Sequence, residues 1–182
     1  MENEILLKIS DLDFRGYSGY KYTSKDILFL ISVLKEEYSD DVYIAALSVF
    51  TLAEDSFAIK LLDFYEQICK QARLLALPML ASSDSVKVYI FMLKRLRDTN
   101  DTDESSIIIA CLAETHYPVL PIIIESLIDD DKLYLNKLKL CLKRMGLKKI
   151  TKYLMMSPQI PFEAVFIDIF GQEKIQEIKQ RK

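Results

Sequence analysis

Ala46-Leu47-Ser48-Val49-Phe50-Thr51-Leu52-Ala53-Glu54 is the stretch on which the fold turns, because three later windows can be laid over it: Leu74 to Ser82, Ser106 to Glu114, and Asn136 to Arg144. Leu52, Leu80, Leu112 and Leu142 then share one position, at separations of 28, 32 and 30 residues. Ala53, Ala81 and Ala113 follow the first three, and Lys143 follows the fourth. After each window comes a polar or proline-bearing break and a second apolar segment: Phe57 to Phe64, Val86 to Leu96, Val119 to Ile128, and Leu147 to Met155. Apolar residues recur at helical spacing both inside and outside these windows, as in Ile27, Leu30, Ile31 and Leu34, while strict strand-like alternation is hard to find. Each unit therefore reads as helix, tight turn, helix.

Composition favours the same class. Of 182 residues, 51% are hydrophobic and 28% charged, with only 4 Gly and 5 Pro, too few turn formers for a many-stranded β fold. The length suits one domain able to bury a sizeable core without disulfides or metals.

A period near 30 residues with two helices per unit resembles the HEAT-like family of α-solenoids, in which a helix pair buries its apolar face by stacking on neighbouring pairs. The resemblance covers residues 41–156. It implies an all-α fold: a right-handed stack of about four helix pairs with capping helices at both ends, in a single domain spanning 1–182. Residues 23–38 are expected to form the N-terminal capping helix, opened by Thr23 with Asp26 at capping-box spacing. Residues 157–182 are expected to supply the closing helices. Residues 1–22, where Phe14, Tyr17, Tyr20 and Tyr22 mingle with Gly16 and Gly19, read as an irregular segment.

No phosphate loop, nucleophile elbow, zinc-binding histidine pair or dinucleotide fingerprint occurs, so the expectation is a protein without catalytic activity, cofactor or metal. The one histidine, His116, sits beside Tyr117 and Pro118 in an expected turn and reads as structural. Cys69, Cys111 and Cys141 lack the close spacing of metal sites or disulfide frameworks. Cys111 and Cys141 stand 30 residues apart at equivalent repeat positions, as small apolar core residues would.

The acidic opening Met1-Glu2-Asn3-Glu4 and the short apolar runs give an expectation of neither a targeting segment nor a membrane span, and hence of a cytoplasmic protein. Net charge is −3, but it is split: residues 1–131 hold 12 Lys/Arg against 23 Asp/Glu, and residues 132–182 hold 12 against 4, giving −11 and +8. Acidic clusters fall between the repeat units, at Asp40 and Asp41, at Asp101, Asp103 and Glu104, and at Asp129, Asp130 and Asp131. These residues can cap the helices that follow them, or form an edge that docks a basic protein surface.

The basic segment holding Lys143, Arg144, Lys148 and Lys149 offers an anion site. HEAT-like DNA glycosylases hold nucleic acid in a basic groove, but such a groove runs along several units and here the charge is confined to the last, so nucleic acid is the less favoured partner. The expected function is a cytosolic inhibitor or immunity protein that neutralises a basic partner such as a nuclease toxin. The alternatives are an adaptor or scaffold subunit of a larger assembly and a HEAT-like nucleic-acid-binding or glycosylase-type enzyme.

Overall fold

A computed structural model describes residues 2–52, 55–83, 85–115, 119–129, 131–156 and 162–181, without the side chains of 51, 52 and 55–58. Among the described residues there are twelve α-helices and no strand. None of these helices is long and apolar enough to cross a membrane. The chain forms two compact units, residues 1–88 and 89–182.

The first unit holds α1 (Glu2–Tyr17), α2 (Ser24–Lys35), α3 (Asp40–Leu52), α4 (Asp55–Leu62) and α5 (Lys70–Ala81), with a short 3-10 turn at Tyr65–Gln67. α1 corrects the expectation of an irregular N-terminus. Ile9 and Leu12 bury one face of this helix, which packs on α3. The glycines that suggested a loop have other tasks. Gly19, at φ +78, stops α1 in a left-handed turn: the Gly19 amide bonds to the Gly16 carbonyl and the Tyr20 amide to the Arg15 carbonyl, each at 3.0 Å, the Schellman pattern. Gly16 lets the Tyr22 ring close over the helix, since the Tyr22 hydroxyl lies 2.0 Å from where a Cβ at position 16 would stand.

The capping box forms at Thr23: its amide donates to the Asp26 carboxylate at 2.7 Å and its hydroxyl accepts from the Asp26 amide at 3.3 Å. The helix it opens is second in the chain, not terminal. The ends of the helices fix their directions. Glu2, starting α1, accepts from the Ser39 amide just ahead of α3 at 3.1 Å, and Gln71, starting α5, donates to Asp40 at 3.2 Å. So α1, α3 and α5 begin at one end of the unit. α2 runs the other way, because the carbonyl of Leu34 near its C-terminus accepts from the Cys69 amide ahead of α5 at 2.9 Å.

At that end the buried Tyr43 hydroxyl accepts from the Tyr38 amide at 2.8 Å and from the Cys69 thiol at 3.2 Å, and donates to the Glu36 carbonyl at 2.8 Å. Its hydrogen-bonding capacity is thus met inside the core.

The second unit opens within α6 (Val86–Asp98) and continues with α7 (Thr102–Glu114), α8 (Val119–Glu125) extended by a 3-10 turn at Ser126–Ile128, α9 (Lys132–Met145), α10 (Leu147–Met156), α11 (Glu163–Phe170) and α12 (Gln172–Gln180). α7 and α9 pack together and point the same way: Lys137 of α9 donates to the carbonyls of Leu96 and Thr99 ahead of α7, and Arg144 reaches Glu114 at its end. Leu112 and Leu142 are buried at matching places in these two helices, and Leu80 is buried in α5. The side chain of Leu52 lies outside the described residues. Past α10, Lys139 ties α9 to Asp168 of α11 at 2.7 Å, and Lys179 of α12 pairs with Glu163 at 2.6 Å over the buried Phe166, Ile175 and Ile178.

Candidate partner-binding surface

Most of the acidic clusters have partners within the chain. Asp101 caps α7, accepting from the amides of Asp103 at 2.9 Å and Glu104 at 3.2 Å, and Asp131 caps α9, accepting from Leu133 at 2.8 Å and Tyr134 at 3.1 Å. Because α7 and α9 run in one direction, both caps and the exposed Asp103 sit at the same end of that pair. Asp129 accepts from the Asp131 amide at 3.0 Å and pairs with Arg97 at 3.1 Å. In the first unit Asp40 and Asp41 are exposed at the start of α3. Asp130 lies outside the described residues.

Glu104 is a correction to the acidic edge. Its side chain is buried, 4% exposed, and turns inward to a bidentate Arg95, at 2.7 and 2.9 Å, and to the Thr99 hydroxyl at 2.6 Å. A carboxylate this far from water needs a full set of donors, and Arg95 and Thr99 supply them.

Lys149 corrects the anion site in the same way. Its ammonium donates to the Ala113 carbonyl at 2.9 Å and to the Thr115 carbonyl, closing carbonyls that the end of α7 leaves without a helical partner, and desolvation lowers its pKa. Arg144 reaches Glu114 at 3.5 Å, while Lys143 and Lys148 stay exposed.

Burial pushes the Cys111 thiol up to about 11 and the Cys141 thiol up to about 12, so both are protonated core groups and poor nucleophiles at neutral pH. Cys69 caps α5 instead, its sulfur accepting from the Ala72 amide at 3.5 Å. His116 lies outside the described residues, and among those described no three His, Cys, Asp or Glu side chains gather where they could hold a metal ion.

The second unit also carries a feature that sequence reasoning missed, an open cleft of about 350 Å³ between α6 and α8. α6 contributes Ile90, Leu93, Lys94 and Arg97, at successive turns of one helix face, and α8 with its 3-10 turn contributes Ile122, Glu125, Ser126 and Ile128. Tyr134 lies on its wall, and the Arg97–Asp129 pair sits at its edge. Ile90 and Ile128 are 53% and 75% exposed, an unusual concentration of branched apolar surface beside four charges. The spacing of Ile90, Leu93, Lys94 and Arg97 was visible as a helix face. That it faces outward across α8 depends on contacts distant in sequence. No protein-family model matches this chain, and no curated protein or solved structure does either.

Proposed function

We propose that this chain is a non-enzymatic protein-binding module, a cytosolic inhibitor or immunity protein whose partner is basic, and that each of its units is a short HEAT-like array. The observation that carries the reading is the α6–α8 cleft, where exposed Ile90 and Ile128 stand beside Glu125 and the Arg97–Asp129 pair. Apolar anchors inside a charged rim suit a protein interface, in which the anchors supply affinity and the rim supplies orientation. Exposed Asp103 and Asp131 give the neighbouring turns a negative field that would steer a basic partner. A toxin nuclease is a partner of that chemistry. The common direction of α1, α3 and α5, and of α7 and α9, supports the HEAT-like part of the reading.

The test is capture from the native cell with two baits, the wild-type chain and an Ile90→Lys/Ile128→Lys variant of equal helicity. The reading expects a basic protein retained by the first and lost from the second. Identical captures by both baits would contradict it.

A further inference from the structure

α1 has a second face that its own unit leaves open. Opposite the buried Ile9 and Leu12 lie Asn3, Leu7, Ser10, Phe14 and Tyr17, spaced alternately by four and three residues, which is the seam of a helix that packs lengthwise on another helix. Leu7, Phe14 and Tyr17 are 71%, 72% and 73% exposed, among the highest values for large apolar side chains among the described residues. The charges of α1 narrow what can cover this seam. Glu2, Glu4, Asp11 and Asp13 outnumber Lys8 and Arg15, and the Lys8 ammonium already sits 3.8 Å from the Phe29 ring centre, so neither an anionic lipid surface nor nucleic acid is matched. Along one flank of the seam run Glu4, Asp11 and Arg15, and the last two form an exposed ion pair.

That flank is complementary to itself. In an antiparallel helix pair like flanks face each other. In the register that sets Leu7 over Tyr17 and the small Ser10 opposite Phe14, Arg15 of one helix stands about two residues, roughly 3 Å, from the level of Asp11 on the other, a gap that these side chains span. Opposed helix dipoles add to the match. We infer that α1 pairs antiparallel with α1 of a second copy of this chain, through Leu7, Phe14 and Tyr17, with Asp11 and Arg15 forming a shared four-charge cluster across the twofold axis. Such an interface is the same patch on both partners, so it closes at two copies and does not propagate.

Sedimentation velocity over a wide range of concentration, with the full chain, tests this. The wild-type mass should rise with concentration from that of one 21.1 kDa chain to twice that value. Phe14→Glu is an exposed change that should leave helicity intact and weaken dimerisation about a hundredfold or more, because it enters the seam twice. Arg15→Glu should weaken it severalfold, and Asp11→Arg/Arg15→Glu should recover much of that loss by exchanging the two charges. A wild-type chain that keeps the single-chain mass at every concentration, a dimer indifferent to Phe14→Glu, or a double variant no better than Arg15→Glu would overturn the pairing. A monomer that instead sediments with phosphatidylcholine–phosphatidylserine vesicles would overturn it in favour of a lipid surface.

Discussion

Arg95 and Glu104 meet in a bidentate pair across the turn between α6 and α7, Nε to Oε1 at 2.7 Å and Nη2 to Oε2 at 2.9 Å. The glutamate side chain is almost wholly buried, so the interaction is worth most when one half is missing: an unpaired guanidinium would be left against the core. Glu104→Ala should cost about 3 to 5 kcal/mol in urea unfolding. An Arg95→Met/Glu104→Leu double variant should regain most of that stability, since no buried charge is then left alone. Equal losses in the single and double variants would show that the pair contributes through packing instead.

The repeat rests on leucines that can be tested one at a time. Leu80, Leu112 and Leu142 are at most 2% exposed, and truncation to Ala should cost about 2 to 5 kcal/mol at each. The same range is expected at Leu52, whose equivalence rests on the sequence windows. A loss well below 1 kcal/mol there would remove the first window from the repeat.

The core thiols make stability fall at alkaline pH. Cys111 and Cys141 are held protonated to about pH 11 and 12, whereas an unfolded thiol releases its proton near the ordinary value of 9.0. Above that value the folded state binds more protons than the unfolded one, so stability present at neutral pH is lost progressively as the pH climbs toward the folded values. Lys149, whose pKa is lowered, acts in the opposite sense and softens the fall. Unfolding free energies measured from neutral pH to about pH 11 should decline less steeply in a Cys111→Ala/Cys141→Ala variant than in the wild type. Parallel curves would mean that the thiols do not contribute to the decline.

What was legible in the sequence is what depends on neighbours along the chain. The capping box of Thr23 and Asp26 and the caps at Asp101 and Asp131 are local, and the apolar spacing that marks α7 and α9 survives in their buried faces. Glu104 was misplaced because its partner Arg95 lies nine residues back, across a turn, and nothing in the acidic run distinguishes the inward residue from exposed Asp103. Lys149 was misplaced for the same kind of reason, since the carbonyls it closes belong to Ala113 and Thr115. α1 was hidden by its own ending: Gly16 and Gly19 signal a loop, but one admits Tyr22 and the other terminates a helix already formed.

The capping and docking roles of the acidic turns separate under charge removal. Asn caps nearly as well as Asp, so Asp101→Asn/Asp103→Asn/Asp131→Asn should change unfolding free energy by only a few tenths of a kcal/mol, whereas Ala at the two capping positions should cost about 1 kcal/mol each. With a captured basic partner, the Asn variant should associate more slowly and with a flatter dependence on salt. Unchanged rates at every salt concentration would leave these residues as caps alone. Replacing Lys143 and Lys148 with Gln should leave association intact, and its loss would return the basic segment to consideration as the contact.

Hydroxyl-radical footprinting of the chain alone and with the captured partner tests whether the α6–α8 cleft is the contact surface. Ile90, Ile122 and Ile128 should lose labelling in the complex while Leu140 and Met156, exposed elsewhere in the same unit, keep theirs. Undiminished labelling at Ile90 and Ile128, with protection appearing at Leu140 or Met156 instead, would contradict it.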